Sequence, residues 1–387
     1  MSAPLEQLQT RLTRYQGFLQ QDPSNASLAQ EVAELQLRLG QLAEARQILE
    51  TALASHPGHG ALLGALASVA IASNQPDEAI GILQGLQKAG QDHPVVHYNL
   101  AYALMLARRF DEAREVLLPI VADPQAPEAP VLLARCLHHL GELDDAIARL
   151  TDFVAQHPGH AEALGQLSLL QLDASNGPAA LAAAEQSLAA NPEDLGALVT
   201  MGSLALETQD QSTATGFFEH ALANNPRSGR AWSGLGLATM LELDLPKAIE
   251  QLRHAVEHMP SHIGTWHALA WCQILAQDLD GALHSFEQSL EIDRSFGETH
   301  GGLAVIAVMQ NRLAEADQSI KRALRLDPNS FAGRFAQSLV ANKSDPERSQ
   351  QMLQNILSSS IVPGGEPLSE ILKRNITRRG PIAPRKH

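Results

Sequence analysis

The sequence predicts an all-α protein in which one helix–turn–helix unit is repeated along the chain. An alanine recurs at intervals of 34 residues, once 33, at Ala45, Ala79, Ala113, Ala146, Ala180, Ala214, Ala248, Ala282 and Ala316. Apolar residues on either side follow the helical spacing i, i+3, i+4 and i+7. No segment alternates with a period of two, so we expect no sheet.

A second small residue lies twelve positions before each alanine. This column contains Ala33, Ala67, Ala101, Ala134, Ser168, Gly202, Gly236, Ala270 and Ala304. Two helices approach closely only where neither carries a bulky side chain. The paired columns therefore indicate where the two helices of each unit cross.

Prolines indicate where the second helices end, because proline cannot continue a helix. They stand near the ends of six units, at Pro57, Pro158, Pro192, Pro226, Pro260 and Pro328. Pro119 falls inside the second helix of the third unit instead, where we expect it to bend the helix.

These signals divide the chain into four parts. Residues 1–25 are expected to form an N-terminal capping helix, and residues 26–330 nine full repeats starting at 26, 60, 94, 127, 161, 195, 229, 263 and 297. Residues 331–359 are expected to form a degenerate helical pair, and 360–387 a basic, flexible tail. Within the tail, Leu368, Ile371 and Leu372 could lie on one side of two helical turns.

The repeat resembles the tetratricopeptide repeat (TPR), most fully over residues 229–262. That unit has the consensus residues Trp232, Leu235, Gly236, Ala248, Leu252, Ala255 and Pro260. The resemblance implies an α-α superhelix, a TPR solenoid of nine repeats with degenerate flanking helices. It also implies that positions 2, 5, 9, 12 and 13 of each first helix line a concave groove.

Charge and cysteine content exclude several classes of protein. The net charge is −15, and subtracting the tail's +4 leaves −19 for residues 1–360. Such a negative charge repels the phosphate backbone of nucleic acids, so we expect no nucleic-acid partner. The two cysteines do not form a disulfide framework, and we find no signal peptide and no apolar run long enough to span a membrane. These features favour a cytoplasmic location.

The sequence also lacks signs of catalysis or of a bound cofactor. It has no phosphate-binding loop, HExxH, GxSxG or CxxC motif, and the repeats leave no second domain for an active site. His254, His258, His262 and His267 are close in sequence, but Pro260 interrupts their helix and no fixed tetrahedral set results. We therefore expect a protein that is not an enzyme and binds no metal or cofactor.

The groove-lining positions are apolar in repeats seven to nine, although a solvated helix face should be polar. The candidate partner-binding residues there are Leu237, Met240, Leu241, His267, Trp271, Ile274, Leu275, Val305, Val308 and Met309. Either the next repeat partly covers this strip, or it binds a partner segment. Repeats three and four offer a secondary, more polar station, comprising Tyr98, Asn99, Tyr102, Arg135, His138 and His139.

The pattern favours a non-enzymatic scaffold or adaptor that binds an apolar or amphipathic protein segment in the groove. Two alternatives stay open: a chaperone for a specific unfolded or secreted client and, more remotely, a regulatory subunit of an enzyme complex. The tail could dock onto its own chain, or the protein could form homo-oligomers. The basic side chains with which some TPR proteins grip a C-terminal carboxylate are missing from any three successive repeats.

Overall fold

A computed structural model describes residues 3–359, with side chains from Leu5 onward, and contains no strand in that range. The prediction of an all-α solenoid built from nine helix pairs and flanking helices is confirmed. The helices are α1 (Ala3–Gln21), α2 (Ala26–Arg38), α3 (Leu42–Ser55), α4 (Gly60–Ala72), α5 (Pro76–Lys88), α6 (Pro94–Leu106), α7 (Phe110–Leu117), α8 (Ala129–His139), α9 (Leu143–Gln156), α10 (Ala161–Asp173), α11 (Gly177–Ala190), α12 (Leu195–Glu207), α13 (Gln211–Asn224), α14 (Gly229–Leu241), α15 (Leu245–His258), α16 (Ile263–Leu275), α17 (Leu279–Ile292), α18 (Gly297–Met309), α19 (Leu313–Leu326), α20 (Phe331–Ala341) and α21 (Pro346–Ser359). The predicted tail, residues 360–387, lies outside the described range.

The described helices form two compact units, which divide between residues 170 and 171. Within each unit, most helices pack against their neighbours in sequence, and the first helices of several successive repeats also contact each other, most extensively α18 and α20. No described helix is both long and apolar enough to cross a membrane.

Most first helices begin at the residue that the repeat pattern predicts. Several are held there by a side chain that accepts a hydrogen bond from a backbone N–H of the first turn, as Asn25, Asp194 and Ser228 do. Such a cap satisfies one of the N–H groups that a helix start leaves unpaired. Repeat four is the exception, because α8 begins at Ala129 rather than at 127.

Each pair turns at one residue in the left-handed backbone conformation, always at position 15 of the repeat. The nine residues are Gly40, Asn74, Arg108, Gly141, Ser175, Gln209, Leu243, Gln277 and Asn311, with φ between +56° and +80°. This conformation ends the first helix and allows the chain to reverse. Glycine and asparagine adopt it readily, whereas Leu243 does so at a steric cost.

Pro119 was expected to bend the second helix of repeat three, but the α-helix ends before it. The α-helix stops at Leu117, and residues Leu118–Ile120 form a 3-10 turn. Proline has no N–H to continue the hydrogen-bond ladder, and its ring clashes with the preceding turn. The second helix of repeat three is therefore only eight residues long.

Both columns of small residues are buried at helix crossings, as the sequence predicted. Every alanine of the first column is fully buried. In the second column, a Cβ added to Gly202 would lie 2.7 Å from the ring of Phe218, and one added to Gly236 would lie 2.6 Å from Leu252. These crossings are too close for any larger side chain.

Candidate functional site

Helices α16, α18 and α20 lie side by side near the C-terminal end of the second unit, and α18 and α20 touch along their backbones. A Cβ added to Gly301 in α18 would lie 2.3 Å from the backbone nitrogen of Gly333 in α20. Glu298 of α18 accepts hydrogen bonds from the backbone N–H groups of Phe331 and Ala332. This carboxylate fixes the start of α20 against α18.

The close crossing allows Trp271 of α16 to reach over α18 to two rings of α20. Its ring lies 6.4 Å from Phe331 and 6.2 Å from Phe335, centroid to centroid, and 6.3 Å from Phe286. His267 lies 5.1 Å from Phe286 and 5.4 Å from Phe296. We call these six residues the aromatic cluster: His267, Trp271, Phe286, Phe296, Phe331 and Phe335. Five of the fifteen Phe, Tyr and Trp residues of the chain are in it.

Trp271 differs from the other two tryptophans in its hydrogen bonding. Trp232 and Trp266 each donate Nε1–H to a proline carbonyl six residues earlier, at 2.8 Å in both cases. Trp271 is only partly buried, and among the described residues its Nε1–H has no acceptor. An indole with one end packed and its donor unpaired is suited to holding a partner's carbonyl group.

His267 is a packed, neutral side chain rather than a solvent-facing one. Its Nε2 lies 2.8 Å from the hydroxyl oxygen of Thr299, and burial lowers the pKa of His267 to about 4. It thus adds a polar, uncharged hydrogen-bonding group to the aromatic cluster at neutral pH.

Three predicted groove residues form an exposed line across the neighbouring first helices. Leu241, Leu275 and Met309 occupy position 13 of repeats seven, eight and nine, and they are 39%, 54% and 38% exposed. We call them the apolar row. They expose apolar surface at the same repeated position of three successive first helices, and exposed apolar surface of this kind can mark a contact site.

Other predicted groove residues lie in the core of the unit. Ile274, Val305 and Val308 are only 6%, 1% and 6% exposed. Leu339 and Val340 of α20 pack against the clusters that contain them. Leu237 and Met240 are partly buried. Cover by the next helix pair therefore accounts for part of the apolar strip, and the apolar row with Trp271 accounts for the accessible rest.

The secondary station of the first unit is brought together only in part. Tyr98 is half-buried near Tyr102, Arg135 and two carboxylates. Desolvation, with the nearby Glu162 and Glu128, raises the pKa of Tyr98, and Arg135 opposes the shift. His139 instead stacks on Phe110 with ring centroids 4.6 Å apart, and His138 stacks on His139.

Asn99 belongs to a feature that the sequence analysis missed. It lines a cavity of about 690 Å³ between α2, α4 and α6, whose floor is formed by small residues of α4, namely Gly60, Ala61, Gly64, Ala65 and Ser68. Small residues at groove positions 2, 5 and 9 of repeat two were the available signal. Phe331 and Phe335 were also missed, although two rings four residues apart on a predicted helix are notable in a chain with so few rings.

Three of the four neighbouring histidines have separate partners. The ring of His254 lies 4.8 Å from that of Trp232, His262 caps α16 by accepting from the backbone N–H of Thr265, and His267 contacts Thr299. Within residues 3–359, no three His, Cys, Asp or Glu side chains are placed to hold a metal ion.

Comparison with known proteins agrees with this architecture. The tetratricopeptide repeat family profile matches residues 12–67, 37–98, 70–123, 121–170 and 274–341. The cellulose synthase operon protein C of Komagataeibacter xylinus is 30% identical over 138 residues, which is 35% of this chain and 10% of that protein, and the same figures hold for the protein of Komagataeibacter sucrofermentans. The match thus covers about a tenth of the length of these curated relatives.

Two solved structures have a similar fold over nearly their whole length. A monomeric mutant of IFIT1 with Gppp-AAAA has a TM-score of 0.58 at 15% identity, covering 92% of this chain and 91% of IFIT1. The human IFIT1 dimer with m7Gppp-AAAA has a TM-score of 0.54 at 16% identity, covering 91% and 94%. The family profile covers more than half of the sequence and the helix pairs repeat throughout, so the chain belongs to the tetratricopeptide repeat family.

Proposed function

We propose that this protein is a non-enzymatic interaction scaffold that binds an apolar or amphipathic segment of a partner protein along the apolar row and Trp271. The observation that carries the proposal is the exposure of Leu241, Leu275 and Met309 at one repeated position. Trp271, with its unpaired Nε1–H, would anchor the segment at the neighbouring turn of α16.

The spacing of the row suits an amphipathic helix. Side chains link α14 to α16 at Ser233–Thr265 and α16 to α18 at His267–Thr299. Helices in such contact lie about 10 Å apart, so the three side chains should recur at about that interval. Residues i and i+7 of a helix are separated by about 10.5 Å along its axis. A helix lying across α14, α16 and α18 could therefore present one apolar side chain to each member of the row.

Nucleic acid is a poor candidate for this surface, even though the IFIT1 structures carry capped oligonucleotides. Residues 171–359 contain 22 acidic and 12 basic side chains, a net charge of −10. Phosphate backbones are repelled by such a surface. A protein segment, particularly one with basic flanks, fits its charge better.

The test compares Trp271→Ala with Trp232→Ala in the full-length protein. Each immobilised variant captures partners from extract, and the captured protein is then titrated against each variant at equal folded concentration. Losing a buried tryptophan anchor typically costs about 2 kcal/mol, or roughly thirtyfold in affinity. We expect this loss for Trp271→Ala only, since Trp232 is tied to Pro226 at its own turn. Equal affinity for both variants would place the partner elsewhere.

The stoichiometry from this titration, together with an aggregation assay of the captured protein, distinguishes an adaptor from a chaperone. A defined segment binding at fixed stoichiometry favours the adaptor, whereas suppression of aggregation by one unfolded client favours the chaperone. Both assignments use the same surface, so Trp271→Ala should reduce either activity.

A further inference from the structure

We propose that residues 367–374 of this chain, Pro-Leu-Ser-Glu-Ile-Leu-Lys-Arg, bind in cis to the apolar row and compete with the partner segment. The competition rests on the proposed function, whereas the docking itself does not. Four observations support it: where the described chain ends, the reach of the tail, its apolar pattern and its charge.

The chain ends its last described helix beside the aromatic cluster. The hydroxyl oxygen of Ser359 lies 3.0 Å from Nη2 of Arg334, which is the residue before Phe335 on α20. The 28 residues that follow Ser359 therefore start beside the first turn of α20, the helix whose rings pack on Trp271.

The tail is long enough to reach the row. Leu368 follows Ser359 by nine residues, which span at most about 30 Å. The row lies at the far ends of the first helices, about 20 Å along a 13-residue helix. α18 and α16 lie one and two helix spacings from α20, or about 10 and 20 Å. The extended chain can therefore bring Leu368 to Met309 and Leu275.

The apolar pattern of the tail matches the surface. Leu368, Ile371 and Leu372 have the spacing i, i+3 and i+4, which places them on one side of a helix. A short helix of this kind buries its apolar side only against another apolar surface. Leu275 and Met309 provide such a surface in the same unit.

Charge favours the same placement. Residues 360–387 contain six basic and two acidic side chains, against the net −10 of residues 171–359. Exposed carboxylates stand just beyond the row, namely Glu242 and Asp244 after α14, Asp278 after α16 and Asp280 in the first turn of α17. With Leu368 at Met309, a helix running towards α14 advances about 8–9 Å by Lys373 and Arg374. These two side chains then lie near Asp278 and Asp280, one helix spacing away.

The experiment uses disulfide trapping in the full-length protein carrying Met309→Cys and Ile371→Cys. The native thiols should stay silent, since Cys136 and Cys272 are buried and burial raises the pKa of each to about 11. The matched control is Leu326→Cys with Ile371→Cys. Leu326 is 41% exposed, close to the 38% of Met309, and it lies only five residues before the start of α20.

We expect the Met309 pair to form an intramolecular disulfide about ten times faster than the control pair under mild oxidant. Adding Leu368→Asp and Leu372→Asp should reduce its rate to that of the control. Equal rates for the two pairs would overturn the proposal, and so would a disulfide that forms only between two molecules, which would indicate docking on a second copy.

Partner titration then tests the competition separately. In a chain without added cysteines, Leu368→Asp with Leu372→Asp should raise partner affinity severalfold. Trapping without this gain would support docking and refute competition. If the Met309 pair forms its disulfide no faster than the control pair, while Trp271→Ala still weakens partner binding, docking is refuted and the proposed function stands.

Discussion

His267 is a single side chain whose protonation should control the stability of the second unit. Its folded pKa of about 4 lies below the ordinary histidine value, because burial against Phe286 and Phe296 disfavours the charged form. Between pH 6.5 and pH 4 the unfolded chain binds a proton that the folded chain does not. The stabilisation is therefore complete above about pH 6.5 and is lost as the pH falls towards 4.

The prediction compares wild type with His267→Gln. The glutamine amide can still form a hydrogen bond with Thr299, but it does not titrate. Between pH 7 and pH 5, wild type should lose roughly 1–2 kcal/mol more free energy of unfolding than the variant. Urea denaturation at both pH values measures the difference. Parallel losses in the two proteins would show that His267 titrates normally.

Leu243 occupies a backbone conformation that suits other residues better. It has φ +65° and is 59% exposed, at the position where other repeats have Gly40, Asn74, Gly141 and Asn311. A branched L-residue in this region costs about 1–2 kcal/mol, whereas asparagine tolerates it. We expect Leu243→Asn to raise the free energy of unfolding by roughly 0.5–1 kcal/mol.

Thermal and urea denaturation test this gain, with Leu326→Asn as the control. Leu326 is also exposed but lies in α19, where asparagine lowers helix stability slightly. A gain in both variants, or in neither, would mean that backbone strain at Leu243 is not the cause.

At the scale of helices, the crossing of α18 and α20 determines how the aromatic cluster is built. Gly301→Ala would place a methyl group 2.3 Å from the backbone nitrogen of Gly333, which cannot move aside as a side chain can. We expect a loss of about 1–3 kcal/mol in stability and a change in tryptophan fluorescence, because Trp271 reaches Phe335 only across this contact.

Gly216→Ala is the control for this change. Gly216 lies within α13, and an added Cβ there meets nothing within 4 Å. Alanine should therefore stabilise the helix by about 0.5–1 kcal/mol and leave the fluorescence unchanged. If Gly301→Ala were as harmless, the α18–α20 contact would have to be looser than the structure indicates.

The helix pairs could be predicted from sequence because their signals are local and repeated. The alanines that recur every 34 residues define where each repeat starts, and the start of the repeat is also the start of its first helix. Pro119 was harder, since proline can either bend a helix or end it. The outcome depends on whether the next turn can continue, and residues 121–128 do not continue it.

The binding surface could be predicted only in outline. Trp271, Leu275 and Met309 were identified from their positions, but Val305 and Val308 are covered by α20, a helix that departs from the repeat consensus. The consensus contains no information about how closely a degenerate helix packs. The glycine pair Gly301 and Gly333, which sets that distance, belongs to two different repeats.

At the scale of the whole molecule, stability should be distributed locally rather than shared. The extensive contacts are between helices one or two places apart in sequence, and the ring contacts of Trp271 with α20 are a longer-range exception. The energy of a repeat therefore depends mainly on its own fold and on its neighbours. A change in one repeat should therefore lower the stability of adjacent helices and fade with distance along the chain.

Gly301→Ala tests this by amide hydrogen exchange, read peptide by peptide with mass spectrometry. Protection should fall most in α18 and α20, which contain the altered crossing, and less in α16, which contacts α20 through Trp271. Helices α2 to α8 of the first unit should keep their wild-type protection, because none of their contacts involves the changed residue. A uniform fall in protection from α2 to α20 would contradict the nearest-neighbour account and would require the two units to unfold as one. A local fall would also mean that the α18–α20 end, which carries part of the proposed binding surface, can be loosened without unfolding the first unit.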